Sequence, residues 1–367
     1  MSLIQPLPDC PVDIVGDIHG EIDALNALLR HLGYDEMGRH PENRRLVFVG
    51  DFVDRGVDSP AVVRRIGQLT DNGHLAILGN HELNLLNNDP KDGAGWFFER
   101  QREREKHRYL QYKIATDKEK EEIIHYLNTL PVALENKNLR IIHAAWLPEK
   151  IELIRKLGDM DAKTAFSQLR QKAKMEEKNQ AWYADYQKEH AFYHQHNRDE
   201  HFAMPYLPAV GAYDLYHGTT HPMRAVTCGI EKAVEKPFYA AGRWRFVTRH
   251  RWWDDYDDEI PVIIGHYWRE WYFYNKNNQL NVSDYGLKSR SDLFIEPPNH
   301  WLGKKKNVFC IDFSIGALWK TRLPQSSFVP EQFRLCAFRL PEKVLIFHNG
   351  KRENTIGFQE YSQNTSK

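Results

Sequence analysis

Early in the chain a short apolar run ends at a glycine and a polar residue, then gives way to a stretch with helical spacing, and this happens three times. Val12–Val15 ends at Gly16-Asp17, Leu46–Val49 at Gly50-Asp51, and Leu75–Leu78 at Gly79-Asn80-His81. Short apolar runs bounded in this way predict buried strands. After the first, Ile22, Leu25, Leu29 and Leu32 fall on one helical face, and Gly33 supplies a stop. After the second, Val62, Ile66 and Leu69 line another helix. Ser59 is placed to cap that helix, Pro60 suits its first turn and Gly73 can end it. The polar residues always sit at the carboxyl end of the strand, which is where open α/β sheets bind ligands.

Further along, residues 97–130 read as mostly helical. Thr116 and Glu119 form a capping box ahead of Ile123, Ile124 and Leu127. Leu139–Ile142 predicts a fourth strand, leading into His143. Residues 149–204 are rich in charge and helical in pattern, and predict an insertion or cap within a domain spanning 9–350. From about residue 205 the pattern turns aromatic and strand-like. Pro261–Ile264 runs into Gly265-His266, and Val308–Ile311, Leu335–Leu340 and Lys343–His348 are the last strands expected. Residues 351–367 read as a polar, frayed tail.

Composition narrows the partners. Hydrophobic residues make up 41% of the 367, enough for a sizeable core, and Lys plus Arg and Asp plus Glu both total 50. No net field therefore favours nucleic acid or an anionic membrane. The sequence has no apolar stretch of roughly 20 residues and no secretory-signal pattern, so no membrane span or export is expected. Cys10, Cys228, Cys310 and Cys336 form no CxxC pair and read as free thiols. Together these features predict a cytoplasmic protein.

Five segments carry the chemistry: GDIHG (16–20), GDFVDRG (50–56), GNHE (79–82), IIHAAW (141–146) and IIGHYW (263–268). They supply Asp17, His19, Asp51, Asn80, His143 and His266. All six are oxygen or nitrogen donors and none is a thiolate, which suits Mn, Fe, Zn or Mg. Asp17 and His19 are two positions apart and so point to one side of an extended segment. A carboxylate between two cations can bridge them, and Asp51 is the candidate. Two cations about 3.5–4 Å apart can share a water and bring its pKa toward roughly 7.

In order and spacing, GDIHG, GDFVDRG and GNHE resemble the opening motifs of the phosphoprotein phosphatases, within the calcineurin-like metallophosphoesterases. The resemblance covers residues 12–90 and returns around His143 and His266. It implies an α/β fold: two mixed sheets packed as a sandwich, flanked by helices, with metals at one sheet edge. It implies two divalent cations, manganese first among the candidates. Asp17, His19 and Asp51 would hold one; Asp51, Asn80, His143 and His266 would hold the other. His81 would be the general acid, oriented by Asp54, and Arg55 would grip the phosphoryl oxygens. The family uses a further arginine between the two late histidines. Arg243, Arg245, Arg249 and Arg251 crowd that stretch, and Arg251 is the assignment.

The implied activity is hydrolysis of phosphomonoesters, with phosphoserine and phosphothreonine among the substrates, in proteins or small molecules. The chain departs from eukaryotic members at His143-Ala144-Ala145-Trp146, where they carry HGG. Its Cys310–Phe313 segment resembles the closing strand of bacterial members. Two other readings stay open. One is symmetrical hydrolysis of dinucleoside polyphosphates by enzymes that typically lack the aspartate of the DRG triplet, here Asp54. The other is a metal-binding scaffold that cleaves nothing. The aromatic run 267–274 reads as core or cap packing, and His190, His194, His196 and His201 as a solvated helix face.

Overall fold

Alternate residues of each central strand feed two different cores. The computed structural model describes residues 2–109, 111–240, 242–271 and 293–359. Their strands, in chain order, are β1 (Ile4–Pro6), β2 (Val12–Val15), β3 (Arg45–Phe48), β4 (Leu75–Ala76), β5 (Ala133–Glu135), β6 (Arg140–Ile142), β7 (Glu231–Ala240), β8 (Arg243–Arg249), β9 (Val262–Ile264), β10 (Val308–Cys310), β11 (Cys336–Leu340), β12 (Val344–Phe347) and β13 (Arg352–Asn354). One sheet has the order β13-β12-β11-β2-β3-β4 and a second the order β1-β5-β6-β9-β10. Both are mixed: β2, β3 and β4 run parallel while β11 joins β2 antiparallel, and β5–β6 is the antiparallel pair of the second sheet. Ile14, Val47, Phe338 and Phe347 of the first sheet meet Leu134, Ile141, Ile263 and Phe309 of the second in one inter-sheet core. Their neighbours Val15, Phe48, Ala337, Ile142, Ile264 and Cys310 point outward into the helical layers. A period of two on strands buried on both faces explains why the sequence shows continuous apolar runs instead of alternation. Each large side chain so buried contributes about 1.5–3 kcal/mol.

The helices are α1 (Ile22–Leu32), α2 (Ser59–Asp71), α3 (Asn80–Leu86), α4 (Glu99–Glu105), α5 (Asp117–Leu127), α6 (Pro148–Arg155), α7 (Ala162–Glu177), α8 (Tyr183–His196), α9 (Pro208–Thr219) and α10 (Pro222–Cys228). Gly33 ends α1 in the left-handed conformation, and Thr116 with Glu119 closes the capping box of α5, as expected. α2 is capped differently. Asp58 accepts the Ala61 N–H, while the Ser59 hydroxyl is buried and accepts the N–H of Asp54. The local sequence offered two adjacent capping oxygens, and the fold uses the second one on the loop that carries Asp54.

Other expectations change as well. Residues 208–228 are helical where strands were expected, because Pro208 and Pro222 each open a helix at its first turn. Arg352–Asn354 pairs with β12 as an edge strand, and Phe358 packs on Trp301 at 4.5 Å, so the stretch read as a frayed tail begins in order. Residues 360–367, and positions 272–274 of the aromatic run, lie outside the described residues. β1 carries too short a pattern to be read and forms only because it pairs with β5.

The stretch 149–204 divides in two. Ile151, Ile154, Ala162, Ala165 and Phe166 enter the main core, whereas α8 buries no residue. α8, α9 and the β7–β8 hairpin instead surround a small core of Met204, Leu207, Val210 and Phe246. Glu189 of α8 accepts the Ala209 and Val210 N–H groups that open α9, and Tyr186 stacks on Tyr213 at 4.0 Å. No helix of the described residues is long and apolar enough to cross a membrane.

Candidate metal centre

The carboxyl ends of β2, β3, β6 and β9, together with the turn that opens α3 after β4, deliver the polar residues to one edge of the sandwich. The backbone there is strained. His19, Asp51, Asp54, Arg55, His266 and Trp268 all have φ between 48° and 75°. Side chains other than glycine adopt this left-handed region at a cost of order 1–3 kcal/mol each, and such residues cluster where a ligand site demands it. Glu82, the last residue of GNHE, holds the turns together. Its carboxylate accepts the N–H groups of Asp51, Phe52 and Gly79 at 2.8–2.9 Å. Two glycines permit the close approach: a Cβ on Gly79 would lie 2.3 Å from Asp51 Oδ1, and one on Gly265 would lie 2.1 Å from Asp17 Oδ1.

Two sets of donors converge. The donor atoms of His19, Asp51 and His81 lie within 4.8 Å of one another, and so do those of Asp51, His143 and His266. Asp51 belongs to both. Asp17 lies beside the first set, with Oδ2 4.0 Å from His19 Nε2, and it accepts the His266 N–H at 3.1–3.2 Å. His19 and His143 turn Nδ1 to the carbonyls of Val53 and Val49, at 3.0 and 2.7 Å. Those bonds put the proton on Nδ1 and leave Nε2 facing the aspartates, the usual outer support of a ligating histidine. Asn80 Oδ1 and His143 Nε2 are buried without a hydrogen-bond partner, although His143 Nε2 lies 3.3 Å from Asp51 Oδ1. A buried acceptor left unsatisfied, as Asn80 Oδ1 is, is costly unless something takes its lone pairs. With oxygen and nitrogen donors only, the set fits divalent cations.

Burial and mutual charge set the protonation states. Burial raises Asp17 well above the usual carboxylate range, and Asp312 adds to it. Burial would raise Asp51 too, but His143, His81 and His19 outweigh it and hold the carboxyl well below its ordinary value. Burial favours a neutral His143, yet Asp51 and Asp17 outweigh that and push it up to about 10. Burial, then Arg55 for His19 and Arg249 for His266, keeps those two well below the ordinary histidine value. A cation at His143 must therefore displace a proton.

His81, a member of the first donor set, also pairs outside it, and Arg55 stands beside it. His81 Nδ1 lies 2.5 Å from Asp54 Oδ2, and Asp54 Oδ1 accepts the indole N–H of Trp96 at 2.6 Å. Arg55 reaches His19 Nε2 at 2.9 Å and His81 Nε2 at 3.0 Å. Asp17, His19, Asp51, Asp54, Arg55, His81, His143 and His266 thus meet at one edge, with Asn80 at the start of α3. Arg251 does not join them: it pairs with Asp254 at 2.8 Å and Glu296 at 3.4 Å. Arg249 lies over the ring of Tyr267, 5.5 Å from its centre, and acts on His266. The sequence reading gave no role to Glu82, Trp96 or Asp312. Glu82 stood inside a quoted motif and was legible; the other two are far from their partners in sequence.

The chain belongs to the calcineurin-like phosphoesterase family, whose model matches residues 10–217, more than half of the sequence. It is 34% identical over 167 residues to the asymmetrical bis(5'-nucleosyl)-tetraphosphatase PrpE of Oceanobacillus iheyensis, covering 42% of this chain and 61% of that protein. It is 31% identical over 134 residues to the symmetrical bis(5'-nucleosyl)-tetraphosphatase of Aromatoleum aromaticum, covering 36% of this chain and 44% of that one. The chain thus spans less than two thirds of the length of these curated relatives. A solved cold-active protein-tyrosine phosphatase of a psychrophilic Shewanella is similar over 96% of this chain and 83% of its own, at 14% identity and a TM-score of 0.43.

Proposed function

We propose that this chain is a hydrolase of phosphomonoesters that uses two divalent cations, manganese first among them. Asp17, His19 and Asp51 would hold one cation; Asp51, Asn80, His143 and His266 would hold the other. The observation that carries the reading is the sharing of Asp51 between two convergent donor sets, with an Asp54–His81 pair and an arginine alongside. Bound there, the cations would supply a water of lowered pKa and neutralise phosphoryl charge.

The chain's own residues do the rest. Arg55 presents two N–H groups to the phosphoryl oxygens. An anion between Arg55 and His81 takes those hydrogen bonds and frees His81 Nε2 to carry a proton to the leaving oxygen. Asp54 fixes the ring through Nδ1. Trp96 anchors Asp54 in turn. We assign the second phosphate contact to Arg249 in place of Arg251, whose guanidinium is committed to two carboxylates.

A second substrate reading has its own support. Arg243, Arg245 and Arg249 fall on one side of β8 by the period of two, and none forms an ion pair among the described residues. Arg249 acts on His266 at the metal centre, and an arginine without an ion pair there favours a substrate with more than one phosphate, in line with the names of the curated relatives. The test is turnover of p-nitrophenyl phosphate with manganese, followed by a phosphopeptide and diadenosine tetraphosphate in parallel. Absence of turnover with both cations bound refutes the hydrolase and leaves the metal-binding scaffold.

A further inference from the structure

Arg55 is held from three sides, and the third is the indole ring of Trp268, which closes the IIGHYW segment and had no role assigned to it. Its backbone N–H donates to Gly93 O at 3.1 Å. Its guanidinium reaches the Nε2 atoms of His19 and His81. Its Cζ also lies 4.6 Å from the centre of the Trp268 ring. The lone pair that Arg55 uses on His19 is the one a cation would take. When His19 ligates and an anion takes the contact with His81, the indole face is the contact that still restrains the guanidinium.

Trp268 is itself placed with care. Its backbone is in the left-handed region at φ 53°. Its N–H donates to Asp312 Oδ2 at 2.6 Å, and Asp312 Oδ1 accepts the Ser314 N–H at 2.8 Å. Asp312 is buried, and its backbone oxygen accepts the Arg269 N–H at 3.0 Å. The segment after β10 thereby clamps the turn after β9 on both sides of Trp268.

We propose that Trp268, held by Asp312, is a positioning residue that aims Arg55 at the phosphoryl group. A guanidinium stacked on an aromatic face keeps its planar fork in one orientation, so less freedom is lost when it binds an anion. The proposal rests on the reading of Arg55 as the phosphate-gripping residue.

The test is calorimetric binding of inorganic phosphate to the full, manganese-loaded chain, with metal content measured on each protein. Trp268→Leu is expected to weaken phosphate binding about tenfold while retaining both cations. Trp268→Phe, which keeps an aromatic face, is expected to restore binding to within about twofold. In an Arg55→Ala background, Trp268→Leu is expected to add nothing, because two residues acting through one contact are not additive. Unchanged phosphate binding by Trp268→Leu, or an equal loss in both backgrounds, would overturn the proposal. So would loss of cations on Trp268→Leu, which would place the residue in support of His266. Turnover of p-nitrophenyl phosphate is followed in parallel. A wild-type protein that binds phosphate but turns nothing over sinks the hydrolase reading and leaves the positioning result standing. A wild-type protein that binds no phosphate sinks both.

Discussion

The sandwich and the small cap of α8, α9 and the β7–β8 hairpin handle apolar and charged groups in opposite ways. In the sandwich, strands are covered on both faces, and buried charge is paired. Asp13 receives Arg339 at 2.7 and 2.8 Å and the hydroxyl of Tyr34 at 2.9 Å. The cap packs a core cluster of four buried apolar residues and leaves a side of β8 with three arginines that have no ion pair among the described residues. A densely packed frame can hold strained backbone and unsatisfied donors in register. The contrast places the strained backbone and the buried donor sets in the sandwich and sets the cap apart as a smaller unit with its own core.

Substitutions can break or sharpen that division, beginning with the largest effect. Asp51→Ala should lose both cations and at least a thousandfold of turnover, whereas His81→Ala should lose about a hundred- to ten-thousandfold yet keep its cations. Metal analysis beside a phosphatase assay separates the two, and a fully active Asp51→Ala protein would refute the shared ligand. Next, Phe309→Ala should destabilise the whole molecule by about 3–5 kcal/mol in denaturant unfolding. Phe246→Ala should open the cap alone, read as hydrogen exchange confined to α8, α9 and the hairpin. Global unfolding on Phe246→Ala would erase the distinction between the two regions.

A smaller effect tests the helical layer on the sandwich side of that division. His221 caps α10 by accepting the Arg224 N–H at Nδ1, and its Nε2–H donates to Phe166 O of α7. Burial pushes this imidazole down to about 4. Between pH 6.5 and 4 the unfolded chain binds a proton that the folded one refuses. Stability should therefore fall as pH drops through that window, by up to about 3 kcal/mol. Thermal melts of wild type and His221→Asn across pH 7 to 4 should converge at the acid end; parallel curves would refute the linkage. Smallest of all, Phe192→Ala on exposed α8 should change stability by less than about 0.5 kcal/mol.

Much of the site could be read before any coordinates. Each ligand follows its strand within a few residues, so apolar run, glycine and polar residue form one local signal. The further parts had none. Arg251 and Arg249 are two positions apart with the same side chain, and only Asp254 and Glu296 show which of them is occupied elsewhere. Ser59 looked like a cap because its neighbours in sequence allowed it; the loop of Asp54 claims it instead. Trp96 and Asp312 reach partners 42 and 44 positions away, beyond any local pattern.

The sequence alone determined the strand–loop–helix order, the donor types and the edge at which they gather. Strand ends, turns and ligand spacing are set by neighbours along the chain, so short-range sterics and hydrophobic period suffice. The tertiary structure decided which arginine is tied up by carboxylates, which hydroxyl leaves its helix for the Asp54 loop and which aromatic ring backs Arg55. Those outcomes depend on distances between segments far apart in sequence, fixed only when both faces of the sheets are packed.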